Sequence, residues 1–373
     1  MDESKLRAHF REATSAPAGW SGDLYFTNER GHKIRYAHAP AQTAAPRGTV
    51  IHRHGSGESI DLYYEALRWY QKQGFDVWAY DLSGHGLSEG KHPNDNPSPK
   101  DTFHDVHDLD HFVRDVVVRV PDRPMVMSAH SLSGHSGLIY IKRNPDMFSG
   151  VVMSSPLFDI YRLGLPALFR PVIRGIFEAA SMMGFKDTVT PVARYSRWLD
   201  TLQRTSQSLT SVTLGEINYR AATKQAIKNM HPERYRALPT FGWVVAALKT
   251  LSPSLKYSFL RSIRTPLLIG SAGPFEDLVA TDAHDRVARM MPHAEVKRMN
   301  FAVHSLWHDR DSNYNQWLGH VAAFLDRVAP QVGPTNLPEP WICAKKAECA
   351  GPDPGMTLKS LDCFPIKHYP VSQ

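Results

Sequence analysis

Apolar residues recur along this chain in two alternating rhythms. The runs at residues 50–51, 77–80, 125–127 and 267–269 are almost continuously apolar, as strands buried on both faces should be. Around and between them the pattern predicts strands over residues 23–27, 33–37, 49–52, 75–80, 125–129, 150–154, 266–270 and 295–299. Helical spacing fills the gaps, over residues 60–73, 102–119, 134–144, 283–291 and 312–328. Strand–helix alternation of this kind implies an α/β architecture, a mostly parallel sheet flanked by helices. In such sheets, reactive groups sit in loops beyond the carboxyl ends of the strands.

Between residues 154 and 264 the strand pattern stops, and the interval is too long to be a loop. It is helical and amphipathic in character. The expected organisation is a core of residues 21–155 and 264–330 interrupted by a helical cap over 156–263. A short N-terminal segment, 1–20, precedes it, and a Pro-rich tail, 331–373, follows.

Three motifs give this frame a chemistry. An apolar strand at Met125 runs into Ser-Ala-His-Ser131-Leu-Ser-Gly, where small residues open a helix. That is the nucleophile-elbow pattern, with Ala129 and Ser133 where glycines are usual. Alone, Ser131 would also serve as a helix N-cap. His54-Gly-Ser-Gly-Glu58 follows the strand at 49–52, where an oxyanion-binding loop belongs. The backbone N–H groups of Ser56 and Leu132 are its candidate donors. Asp81-Leu-Ser-Gly-His-Gly-Leu-Ser-Glu-Gly90 follows the strand at 75–80.

In this order and spacing the three motifs resemble the monoacylglycerol lipase and bacterial lysophospholipase branch of the α/β-hydrolase superfamily, over residues 21–329. The resemblance implies a serine hydrolase of the α/β-hydrolase fold that cleaves the acyl ester of a monoacyl lipid through an acyl-enzyme on Ser131. It implies a structural role for the Asp81 turn. It also implies a histidine after the last strand, which His304 matches better than His308, and an acid after the penultimate strand. Glu276 is the preferred acid and Asp277 its rival. A segment around residues 231–243 loosely resembles the lysophospholipase cap.

Composition narrows the alternatives. With 42% hydrophobic and 21% charged residues the chain is globular rather than disordered. The net charge of +6 favours anionic contacts, but the basic residues form no block, which argues against nucleic acid. An anionic membrane surface fits better, because residues 157–177 interleave large apolar groups with Arg162, Arg170 and Arg174. That segment would equally serve by packing on the core and lining an acyl pocket. No signal-peptide or membrane-spanning run is present, so the expected location is cytoplasmic, with peripheral contact at the inner membrane face.

No cofactor is implied, since no dinucleotide or P-loop signature opens a strand–helix unit. Cys343, Cys349 and Cys363 lack the spacing of a zinc site. The cluster of His104, His107 and His111 with Asp105, Asp108 and Asp110 reads as a flanking helix with a solvated histidine face rather than as a metal site. Two further readings stay open: a general carboxylesterase for small or xenobiotic esters, and a catalytically silent binding protein that keeps the fold. Haloalkane dehalogenation is disfavoured because it needs an aspartate at the elbow.

Overall fold

A computed structural model describes residues 2–90, 101–118, 122–159, 170–191, 215–235, 240–273, 276 and 278–331. The tail with its three cysteines, Asp277 and Arg162 lie outside the described residues. The strands are β1 (Ser21–Thr27), β2 (Lys33–Ala39), β3 (Gly48–Arg53), β4 (Phe75–Tyr80), β5 (Met125–His130), β6 (Gly150–Ser154), β7 (Leu267–Ala272) and β8 (Ala294–Met299). They form one sheet in the order β1-β2-β4-β3-β5-β6-β7-β8. β1 and β2 pair antiparallel, as do β2 and β4, and from β4 to β8 every pairing is parallel.

The longer helices are α1 (Glu3–Thr14), α2 (Tyr64–Lys72), α3 (Asp101–His111), α4 (Leu132–Arg143), α5 (Arg170–Ala180), α6 (Tyr219–Met230), α7 (Phe241–Ser254), α8 (Thr281–Met290) and α9 (Asp311–Val328). Strand alternation sends Ile51, Met127, Val151 and Ile269 to one face, where Leu109, Phe112, Leu138 and Val287 cover them. Val50, Val126, Val152 and Leu268 face the other way, under Leu67, Tyr70, Trp317 and Phe324. Both faces are therefore apolar, which is why the central strands read as unbroken hydrophobic runs.

Where element ends differ from the sequence pattern, buried polar groups explain it. β3 runs on to Arg53, whose fully buried guanidinium pairs with Asp105 (2.5 Å) and also bonds Tyr80 Oη, the Ser133 carbonyl and Ser136 Oγ. The helix expected at 60–73 opens as a 3-10 turn, Ile60–Tyr63, with Ser59 Oγ accepting from the Asp61 N–H. α3 carries Leu109 and Val106 into the core as expected, and continues through a π-helical turn, Phe112–Val116. Its acids turn away from its histidines: Asp105 meets Arg53, Asp108 meets Arg30 and Asn28, and Asp110 meets Arg114. Among the described residues no group of His, Cys, Asp and Glu is arranged to hold a metal ion.

The Asp81 turn is structural. Its buried carboxylate accepts from the N–H groups of Ile60 (2.8 Å) and Leu87 (2.9 Å) and lies 3.4 Å from Arg35. Gly86 has φ +53°, and a Cβ there would strike that carboxylate. The motif's glycine is thus demanded by both conformation and space.

Between β6 and β7 the described residues are mostly helical, in α5, α6 and α7 and in short turns. No described helix is long and apolar enough to cross a membrane. One element had no counterpart in the sequence pattern. α1, capped by Asp2 accepting from Ser4 and Lys5 N–H, packs on α2 and α6 without burying any of its own residues. Half-buried Phe10 and Ala13 pack on the core, Arg68 donates to Glu12, and His9 stacks on Tyr219.

Trp317 is fully buried against Trp307 and fills the space that Gly270 leaves open. Trp317→Ala should lower unfolding free energy by about 3–5 kcal/mol, read from a urea titration. A loss under about 1 kcal/mol would show that the sheet does not rest on this side chain.

Candidate active site

The site is assembled where strands stop. β5 ends at His130, and Ser131 takes φ +50° and ψ −112° before α4 begins at Leu132. An L-residue held there carries strain of about 1–3 kcal/mol. Hydrogen bonds on both sides hold it: Ser131 N–H donates to the Ser154 carbonyl (3.0 Å), while the Ser131 carbonyl accepts from Gly134 (3.0 Å) and Leu157 (2.9 Å). A Cβ on Gly134 would lie 2.5 Å from Pro156, so this glycine is set by packing.

The two departures from the elbow pattern have physical uses. Ala129 is buried in the core, where its methyl group fits. Ser133 donates its hydroxyl to the His54 carbonyl at 2.5 Å, tying the elbow helix to the neighbouring loop. His54 in turn donates Nδ1–H to the Gly55 carbonyl (2.7 Å) and accepts at Nε2 from Leu82 N–H (3.0 Å). Burial pushes this imidazole's pKa down, in keeping with that neutral tautomer. The HGSGE and Asp81 motifs are therefore joined through one histidine ring.

His304 stands in the loop after β8. Its Nδ1 faces both oxygens of Glu276, at 2.9 and 3.0 Å, and its Nε2 lies 3.0 Å from Ser131 Oγ. A carboxylate at Nδ1 fixes the proton there, leaving Nε2 to accept the Ser131 O–H. Glu276, after β7, also accepts from the N–H groups of Leu278 (2.8 Å) and Val279 (3.2 Å). Burial opposes its charge, but His304 and those N–H donors hold its pKa at about 2. Burial likewise opposes a charged His304, yet Glu276 raises its pKa above the ordinary histidine value.

His308 is placed elsewhere. Its Nε2–H donates to the Leu62 carbonyl (2.7 Å), and its Nδ1 accepts from Ser305 Oγ (2.7 Å). Leu132 follows Ser131 directly, Ser56 lies in the loop after β3, and the N–H of neither donates to another group among the described residues. Gly55 packs so close that a Cβ on it would lie 3.2 Å from the Ser131 Cβ. A hydroxyl, an imidazole and a carboxylate in sequence, beside free N–H donors, can move a proton off the hydroxyl and shelter negative charge.

Three groups here escaped the sequence reading. Glu58 Oε2 accepts from Gly55 N–H (2.8 Å) and Tyr63 Oη (2.5 Å), while its Oε1 meets Lys224 of α6. His130 stacks obliquely 4.9 Å from His304, with Nδ1–H donated to the Ser154 carbonyl. Glu58 stood inside a recognised motif, but nothing local in the sequence points from Lys224 to it. A separate cavity of about 470 Å³ opens at the opposite edge of the sheet, among Thr49, Arg123, Met125 and Arg264.

The family model described as serine aminopeptidase, S33, matches residues 44–311. Human monoglyceride lipase is 31% identical over 122 residues, which is 31% of this chain and 37% of that protein. The chain thus aligns with little more than a third of the mammalian relatives' length. A probable lysophospholipase L2 from Haemophilus influenzae is 22% identical over 304 residues, 81% of this chain and 91% of that protein. A soluble variant of Saccharomyces cerevisiae monoglyceride lipase, solved with a substrate analog, superposes with TM-score 0.59 at 17% identity, covering 85% of this chain and 97% of that one. Paleococcus ferrophilus monoacylglycerol lipase gives TM-score 0.58 at 16% identity, covering 79% and 99%. Together with the strand order, these matches identify an α/β-hydrolase fold, and the chain belongs to the serine aminopeptidase S33 family.

Proposed function

We propose that the protein is a serine ester hydrolase that cleaves the acyl ester of a monoacyl lipid, a monoacylglycerol or a lysophospholipid. The observation that carries this reading is the unbroken chain Ser131–His304–Glu276, with links of 3.0 and 2.9 Å. In the proposed mechanism His304 Nε2 takes the Ser131 proton as Oγ attacks the ester carbonyl. Negative charge on the carbonyl oxygen is met by the N–H groups of Ser56 and Leu132. The intermediate collapses, His304 gives its proton to the departing alcohol, and the acyl group stays on Ser131. Water, deprotonated by His304, then releases the fatty acid. Glu276 keeps the imidazole in the working tautomer and stabilises the imidazolium.

The lipid substrate is supported by the names of the matched relatives and by the surface of the segment between β6 and β7. There Val172, Ile176, Met182, Met183 and Phe185 are exposed, from α5 onward. An apolar surface of this kind suits contact with lipid. In the proposed organisation, residues 156–263 act as a cap over the site, and this surface rests on an anionic membrane.

Ser131→Ala should abolish both fluorophosphonate labelling and turnover of a p-nitrophenyl ester, with a loss of at least about 10³-fold in kcat. Labelling that persists would remove Ser131 from the mechanism. The pH profile supplies a second check. The base works only when neutral, and its raised pKa places the acid limb of kcat/KM above the ordinary value of 6.5. Glu276→Gln should cut kcat roughly 10³- to 10⁴-fold and move that limb to lower pH, because the imidazolium loses its partner. A limb that stays in place would exclude Glu276 as that partner. On an acyl-length series, hydrolysis should favour long-chain monoacyl lipids. Activity confined to short esters would point instead to a small-ester carboxylesterase.

A further inference from the structure

α6 reaches the site from the segment between β6 and β7, and it does so through charge. Arg220 and Lys224 are one turn apart and point the same way. Arg220, itself mostly buried, pairs with Glu65 (2.8 Å) and the exposed Asp311. Lys224 goes deeper. Its ammonium meets Glu58 Oε1 and lies 3.4 Å from both Ser305 Oγ and His308 Nδ1. These three partners belong to two different loops. Glu58 closes the HGSGE loop by accepting Gly55 N–H, next to the N–H of Ser56. Ser305 follows His304 directly.

We propose that Lys224 is a positioning residue for the reaction, binding the Ser56 loop and the His304 loop together and neutralising Glu58 beside the developing oxyanion. The proposal rests on the serine-hydrolase reading above. Its physical logic has two parts. The Glu58 carboxylate is nearly fully buried, and the strongest force keeping it ionised against burial is Lys224. Without that cation, a negative charge held mainly by Gly55 N–H and Tyr63 Oη would sit beside the donors meant to stabilise negative charge, and would oppose them. Without the ammonium, the two loops would also lose a side chain that spans them.

Charges around His304 decide the sign of the titration effect. Glu276 and Glu58 stabilise its protonated form, and Lys224 opposes it. His130 and His284 lie near it and are kept neutral by burial, their pKa values pushed down to about 3 and about 4. While Glu58 stays ionised on Gly55 N–H and Tyr63 Oη, removing Lys224 raises the His304 pKa, and replacing it with arginine leaves it in place.

The test compares Lys224→Met, Lys224→Gln, Lys224→Arg and Arg220→Met, each checked for folding by circular dichroism. Kinetics use a short p-nitrophenyl ester, and the His304 imidazole is titrated by NMR. Lys224→Met and Lys224→Gln should lower kcat by about 10- to 100-fold, with KM changed by less than about threefold. Both should move the His304 midpoint to higher pH. Lys224→Arg should restore kcat and midpoint, and Arg220→Met should change thermal stability alone. Should Met fail to fold, the Gln variant decides. An unmoved midpoint with unchanged kcat, or the same loss in Arg220→Met, would overturn the proposal. If the wild type hydrolyses no ester and Ser131 takes no fluorophosphonate, the serine-hydrolase reading fails and this role falls with it. If the wild type is active and Lys224→Met matches it, only the role of Lys224 falls.

Discussion

Ser131 occupies backbone angles that an L-residue avoids, and much of the surrounding structure is legible as the means of holding it there. The strain is about 1–3 kcal/mol, a sizeable fraction of a domain's net stability. It is offset by groups that fit only this conformation. The Ser131 N–H reaches across to β6, its carbonyl accepts two N–H groups, and Gly134 lets Pro156 press against the elbow helix. Relaxing the angle would break all of these together. A hydroxyl held at the end of β5 in this way is presented to His304 without having to search for it.

Around that turn the fold buries charge in pairs. Arg53 with Asp105, Arg35 with Asp61 and Asp81, Glu276 with His304, and Glu58 with Lys224 all lie at or near the carboxyl edge of the sheet. Removing one member of such a pair typically costs about 3–5 kcal/mol, because the other is left charged in a poor solvent. Apolar packing is non-directional, whereas these pairs act at fixed distances and angles. The aliphatic layers give the sheet its stability, and the ionic pairs determine where its loops stand.

That division explains what could be read from the sequence. The central strands were legible because both faces are buried, and the elbow and glycine loop were legible because they follow those strands directly. The ends of β3 and β5 were not, since Arg53 and His130 look like loop residues until Asp105 and the Ser154 carbonyl are seen beside them. The address of His304 after the last strand is legible in the sequence, and the fold brings its Nε2 to 3.0 Å from Ser131 Oγ. The acid was harder, because neighbouring carboxyls compete in one loop and only tertiary geometry brings Glu276 to Nδ1. α1 escaped because Leu6, Phe10 and Ala13, half-buried at most, make only a thin apolar stripe in a mostly charged segment. Lys224 escaped for a related reason: its partner is 166 positions away and the link is electrostatic.

In the proposed mechanism the Glu58 carboxylate stands beside a place where negative charge must form. The reason lies in what it holds. Gly55 N–H and Tyr63 Oη are both buried donors, and a charged acceptor binds them more strongly than a neutral one. Their geometry fixes the turn that carries Ser56. The charge that makes Glu58 a good acceptor is also what makes it unwelcome to an oxyanion. A cation on its far oxygen resolves the conflict, since Oε2 keeps its hydrogen bonds while Oε1 is neutralised. That cation comes from α6, outside the sheet, so the electrostatics of the loop depend on the segment between β6 and β7 being seated. In the proposed mechanism, displacing α6 would loosen the loop that carries His304 as well as weaken the place where charge develops.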